Sequence, residues 1–348
     1  MIVSLLIAIW SQTLQFSPVV TLEPPPADQD LYLQFTLHVE IDDTGTYYIP
    51  DYPSGRVFMW DKAGKYVGFF GEKGEGPGEF TFAASLGGPR GYVYAFNDRL
   101  YVYDGGNRTI SEFKRDRSFV RRIILQGLGG MINNFQVTGP NQFLFYDSYF
   151  CEDHACRRID FYNGEGNVYR EIIHDPDTTW SRDEAKNRVN LFIFEPTLAL
   201  DYSPGRSEIV YAQTKSPDLH VLDAKGNALR ALKLEIPRVM VQQDDIDEFN
   251  EQDWMQGNPG IKAIFPKEKA WFDRILTLKE GYLVFHLSHL YRRAKGYLVD
   301  FDGKVKARFA IRCGEGGGLF DPRERLVAVI VDEEGDFQIR ELEMKIQP

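Results

Sequence analysis

The chain is poor in cysteine, in histidine and in positive charge. Three cysteines in 348 residues are too few for a disulfide scaffold or a cysteine-rich zinc module. Six histidines, with only His286 and His289 close together, leave little material for a histidine-built metal centre. Lys and Arg number 40 against 51 Asp and Glu, a formal charge of −11, which argues against general nucleic-acid or anionic-membrane binding. No apolar run reaches the about 20 residues that a membrane-spanning helix needs. No Gly-x-Ser-x-Gly elbow, His-Glu-x-x-His motif or phosphate-loop Lys-Ser/Thr pair occurs. Aromatic residues, by contrast, make up 14% of the chain and hydrophobic residues 43%, which excludes disorder as the main state. A soluble, acidic, aromatic-rich globular protein remains.

Short alternating runs separated by turns recur along the whole chain. Gly55–Phe70, Asp218–Leu232 and Gly296–Phe309 each read as apolar alternation, then Asp-x-x-Gly, then a second alternation. In that pattern Asp bonds its own turn and Gly supplies a positive φ, so each is a hairpin. Weaker copies run from Ser111 to Val120 and from Ile159 to Val168, and the turns start at Asp61, Lys114, Asn163, Asp223 and Asp300. A further strand precedes each hairpin, and Leu326–Val331 with Phe337–Leu342 opens a sixth unit. Innermost strands are expected at Leu37–Ile41 and Tyr92–Phe96. Four strands per unit in six units is the arithmetic of a propeller. The predicted fold is therefore all-β: a six-bladed β-propeller with four antiparallel strands per blade and short helical inserts on one face. The sixth unit is one strand short, and Val19–Glu23 is expected to supply the missing outer strand and close the ring.

Residues 1–17 have the apolar core of a signal peptide without its basic start or a clean cleavage site, and residues 18–348 form one domain. A buried first strand and an uncleaved anchor are the alternatives for that segment. The leader reading places the mature chain, without a membrane span, in the periplasm or outside the cell. Cys151 and Cys156 flank a short loop. They suit a disulfide in an oxidising compartment, free thiols, or a metal site together with His154.

The sizeable insertions, at 71–80, 147–156, 174–190, 237–269 and 289–296, all fall on the face that carries the second-to-third and blade-to-blade connections. Loops held by a rigid scaffold commonly bind, so this face is the predicted binding surface for a protein, peptide or glycan. Tyr149, Trp180, Trp254, Tyr291, Arg292 and Arg293 are the candidate contacts, being aromatic and Arg anchors. Helices are expected over Val241–Gly257, with Ile246, Phe249 and Trp254 on an apolar stripe, and over Thr178–Arg188, with Ser181 as N-cap and Glu184 three residues on.

Asp51, Asp104, Asp147 and His286 each end a second strand. They are the candidate ligands of Ca or Zn if the channel mouth carries a metal-dependent lyase or hydrolase instead. Asp after a strand is also an ordinary turn residue. The main reading needs no cofactor and no catalytic residue.

Phe69-Phe-Gly-Glu-Lys-Gly-Glu-Gly-Pro-Gly-Glu-Phe80, after Val57–Tyr66, resembles the NHL-type repeat. It is most similar to the uncharacterised bacterial six-bladed propellers that carry a Gly-x-Gly-Pro-Gly-Glu-Phe/Tyr segment after the first blade. The resemblance is sharp over residues 45–125. It implies the six-bladed fold and an exported bacterial protein, and no particular activity.

Overall fold

In the computed structural model, residues 12–26, 33–34, 36, 38–82, 91–128, 131–151, 154–176, 179–183, 186, 188–251, 257–287, 293–313, 318–331 and 336–347 are described. The first strand, β1 (Thr13–Thr21), belongs to the last blade. Blade 1 holds β2 (Glu40–Ile41), β3 (Tyr47–Asp51), β4 (Arg56–Trp60) and β5 (Tyr66–Phe70). Blade 2 holds β6 (Gly91–Phe96), β7 (Arg99–Asp104), β8 (Thr109–Lys114) and β9 (Phe119–Ile124). Blade 3 holds β10 (Met131–Gly139), β11 (Gln142–Cys151), β12 (His154–Asn163) and β13 (Val168–Pro176).

After β14 (Trp180–Asp183) and β15 (Arg188–Phe192), blade 4 follows as β16 (Leu198–Ser203), β17 (Glu208–Gln213), β18 (Asp218–Asp223) and β19 (Ala228–Lys233). Helix α1 (Gln243–Asn250) and β20 (Ile261–Ile264) separate it from blade 5. That blade is β21 (Arg274–Leu278), β22 (Gly281–Leu287), β23 (Arg293–Val299) and β24 (Val305–Arg312). Blade 6 is β25 (Gly318–Phe320), β26 (Leu326–Val331), β27 (Phe337–Gln347) and, outermost, β1.

The turn chemistry explains the hairpins. Asp61 Oδ1 accepts the N–H groups of Ala63 (2.9 Å) and Lys65 (3.0 Å). Asn163, Asp223 and Asp300 hold their turns in the same way. Blade 2 lacks this acid at Lys114 and instead places Arg117 at φ 71. Gly64 shows why the fourth position is glycine. Its φ is +84, and a Cβ there would stand 2.5 Å from the Thr21 carbonyl of the closing strand. The Gly64 carbonyl also accepts the Glu23 N–H at 2.8 Å, so this turn of blade 1 clasps the end of β1.

Ring closure by the N-terminal strand is present and longer than expected. β1 runs antiparallel to β27 from Thr13↔Gln347 to Thr21↔Arg340. It therefore begins inside the segment read as a leader, with Leu14 buried against blades 5 and 6.

Aromatic side chains fill the gaps between blades. Between blades 2 and 3, Phe135 lies 4.9 Å from Phe145 and 5.7 Å from Tyr103, ring centre to ring centre. This use accounts for the aromatic content.

Both expected helices fall in inserts, and among the described residues one of them forms; Thr178 and Glu184 of the other lie outside the described residues. The acidic helix runs from Gln243 to Asn250 and buries Phe249 against Phe265 at 5.6 Å. At its start the Asp245 carboxylate accepts the Gln242 N–H (2.9 Å) and pairs with Lys269 (2.7 Å). The second is corrected: Trp180–Asp183 is a strand. It pairs with β15, and β15 pairs in parallel with β20 of the other insert. A helix that short is marginal alone, whereas the second insert offers a ready β edge. The two inserts thus join in a three-stranded sheet.

Candidate functional site on the long-loop face

Blade 3 stands above its neighbours. β11 and β12 have ten residues each, against five or six in the middle strands of blades 1, 2 and 4. At about 3.3 Å per residue the excess raises this hairpin by roughly 13 Å.

One row of side chains crosses the raised blade. Asp147 faces Arg158, and Arg158 faces His174, in the register of β11, β12 and β13. Arg158 donates to both Asp147 oxygens, from Nε at 2.8 Å and from Nη2 at 3.0 Å, and Nη2 also donates to the Gly127 carbonyl at 2.9 Å. Its guanidinium lies 4.4 Å from the centre of the Tyr149 ring. The Tyr149 hydroxyl and His174 Nε2 are 2.7 Å apart. Burial pushes Asp147 above the usual carboxylate range although Arg158 pulls it down. Asp160, 3.1 Å from the same guanidinium, is pushed up to about 6 by burial. A cation backed by two acids and covered by a half-buried phenol suits polar, planar or hydroxyl-bearing ligand groups.

Trp180 is half-buried at the start of β14, in the sheet where the inserts meet. Trp254, Tyr291 and Arg292 lie outside the described residues, as does the side chain of Arg293. Cys156 faces Tyr149 across the strands and is disulfide-bonded, and Cys313 is buried and free. The side chain of Cys151 lies outside the described residues.

The four candidate metal ligands share a position in the repeat, and each ties down the chain entering its own blade. Asp51 accepts the Gln34 N–H at 2.8 Å and the Ser54 N–H at 3.2 Å. Asp104 accepts Thr81 N–H and Phe82 N–H, both at 2.9 Å, and the Asn107 side chain at 2.7 Å. Asp147 reaches the Gly127 carbonyl through Arg158. The His286 ring bonds the Trp271 backbone, and burial, helped by Lys269, lowers its pKa to about 4. The oxygens that would face a cation at Asp51 and Asp104 are thus already filled by N–H donors. Among the described residues no three His, Cys, Asp or Glu side chains gather as a metal-binding group.

A second polar group, on the ring axis, was not singled out in the sequence. Glu40, Asp201 and Asp321 come from blades 1, 4 and 6, with Arg323 and Arg274 beside them. Glu40 and Asp201 are 3% and 4% exposed. Burial pushes Glu40 up to about 8, with Arg323 pulling the other way. The signal was there for Asp201, a lone charge within the apolar inner strand Ala199-Leu-Asp-Tyr202, whereas Glu40 and Asp321 have charged neighbours two residues on.

No helix among the described residues is long and apolar enough to cross a membrane. No curated protein matches the chain. Two solved structures resemble it in fold. A Bacteroides fragilis protein described as exported has 10% identity and a TM-score of 0.55, covering 95% of both chains. A DUF4221 family member from Bacteroides vulgatus has 11% identity and a TM-score of 0.51, covering 96% of this chain and 99% of that one. Residues 29–174 match a family model described as a 6-bladed beta-propeller, and the six blades laid out above make the whole chain a six-bladed β-propeller.

Proposed function

We propose that this propeller is a non-catalytic binding protein of the bacterial cell envelope that takes a protein, peptide or glycan on its long-loop face. The observation that carries the reading is the Tyr149–Arg158–His174 row on the raised hairpin of blade 3. Trp180 in the joined inserts is its aromatic companion, and Trp254, Tyr291, Arg292 and Arg293 complete the proposed surface. Aromatic and Arg side chains carry most of the energy at such surfaces.

Peptide and glycan arrays probed with the wild type and with Tyr149→Ala and Trp180→Ala test it. A ligand whose signal falls about tenfold or more in either variant, with unchanged melting, is the expected result. Binding that survives both substitutions but is lost in Arg99→Ala or Arg121→Ala, on the short-turn face, would overturn it.

Export rests on the apolar N-terminal segment and on the fold shared with a protein described as exported. We place the Cys151–Cys156 bridge in the same reading, since antiparallel pairing puts both residues on one face at the hairpin tip. One purification checks both. The tagged chain should be recovered from the envelope fraction, and a non-reducing peptide map should link Cys151 to Cys156. Cytoplasmic recovery with both thiols free counts against each.

A further inference from the structure

The first turn of blade 6 differs from its counterparts. In each other blade the first turn has a single residue at positive φ: Gly45, Asn97, Asn141, Ser207 and Gly281. In blade 6 two consecutive side-chain-bearing residues, Arg323 (φ 51) and Glu324 (φ 62), take this conformation. Such strain persists only where surrounding contacts impose it, and it marks segments with a special role.

The contacts radiate across the axis. Arg323 Nε donates to the Ile41 carbonyl of blade 1 at 2.8 Å, and Nη2 to the Ala95 carbonyl of blade 2 at 3.2 Å. Ser203 of blade 4 hydrogen-bonds Glu324. The Thr277 N–H of blade 5 donates to Asp201 Oδ2 at 2.7 Å and to Asp321 Oδ2 at 2.9 Å. Asp201 Oδ2 and Asp321 Oδ2 thus converge on one N–H, and two buried carboxylates held that close favour a state in which one of them keeps a proton. One turn thus holds the inner strands of blades 1, 2, 4 and 5 at the short-turn end of the channel.

We propose that this turn is a proton-held clasp: while Asp201 and Asp321 share a proton it shuts the short-turn end of the channel, and loss of that proton releases it. Asp321 gives the proton to solvent, leaving two carboxylates face to face. The surroundings oppose this at neutral pH. Burial pushes both acids up, and the Asp201 charge pushes Asp321 further. Arg274 of blade 5 acts on the pair directly, and Tyr94 of blade 2 lies close to the pair, to Glu40 of blade 1 and to Tyr202 of blade 4. Arg323 of the turn and Asp42 act on Glu40, and Glu324 is bonded to Ser203. His38, which donates to Val93 O at 2.6 Å, adds no charge, because burial keeps it neutral with a pKa of about 4. Arg274 and the N–H groups of Thr277 and Tyr202 favour the ionised pair, but burial outweighs them, so release belongs to alkaline solution.

Hydrogen exchange on the full chain at pH 5, 7 and 9, corrected for the intrinsic pH dependence, tests the clasp. The probes are the amides of Thr277, Glu324 and Arg325, which are hydrogen-bonded here. Their protection should fall about tenfold or more from pH 5 to pH 9, while strands β7 and β11 stay unchanged. In Asp321→Asn, whose amide still donates to Asp201, the fall should shrink to less than about threefold. Arg323→Asn, which tolerates positive φ but lacks the guanidinium, should be open already at pH 5. Wild-type protection that ignores pH, or an equal fall in Asp321→Asn, overturns the proposal. So does a response abolished by Glu40→Gln alone, which would assign it to Glu40. If Asp321→Asn does not fold, Asp201→Asn makes the same comparison.

Discussion

The double replacement Leu14→Ala, Leu22→Ala should lower the free energy of unfolding by more than about 4 kcal/mol, each truncation of a buried Leu costing about 2–5 kcal/mol. The effects should add, because Leu14 lies near the start of β1 and Leu22 just past its end, in separate clusters. Leu14 packs among Leu276, Phe285 and Leu342, and Leu22 among Ile49, Trp60 and Ile339. The strand matters beyond its apolar area, because it covers β27, which would otherwise present a long unpaired edge. Chemical denaturation gives the loss, and size-exclusion chromatography should show edge-to-edge association of the double variant. A double variant within about 1 kcal/mol of the wild type would mean that β1 does not close the ring. The proposed export gives a second readout. If maturation removed residues 1–17, Leu14→Ala would be silent, whereas a mature chain that keeps Thr13–Thr21 feels it in full.

Glu40→Gln should leave stability almost unchanged near pH 4 and raise it by several kcal/mol at pH 9. In the folded protein burial holds the Glu40 carboxyl neutral up to about pH 8, while its ordinary value is 4.5. The unfolded chain therefore releases this proton first as pH rises. The stability due to the neutral carboxyl is complete below about pH 4.5, drains away between there and pH 8, and is gone above. At about 1.36 kcal/mol per pH unit the whole loss is on the order of 5 kcal/mol. Gln keeps an oxygen for the Ala95 N–H, which Glu40 accepts at 3.4 Å, and has no proton to lose. Denaturant midpoints at pH 4, 6, 8 and 9 for both proteins check this. Parallel curves would show that Glu40 ionises inside the ring without cost. Asp201 and Asp321 act with the same sign, so the Gln variant should still lose some stability toward alkaline pH.

The repeat and its strands were legible in the sequence because each hairpin is a local event. Asp61, Asn163, Asp223 and Asp300 bond backbone within four residues of themselves, so turn and register follow from neighbours in the chain. The missing fourth strand of blade 6 was legible by counting, since a closed ring leaves no edge strand over. The same periodicity marked Asp51, Asp104, Asp147 and His286 as equivalent, and they are. What they hold was not legible, because Gln34, Thr81, Gly127 and Trp271 have no fixed spacing from them.

The segment after Thr178 shows the limit most plainly. Its residues permit a helix start, and the choice of strand was made by β20, about 70 residues further on. The axial group shows it again, since Glu40, Asp201 and Asp321 are far apart in the chain and meet only because the inner strands converge on one axis. Sequence alone determined the blades, their number and the face that carries the long loops, all set by contacts a few residues apart. Tertiary structure alone decided which inserts pair, which acids share a proton and which turn spans the channel, because those contacts exist only once the ring has closed.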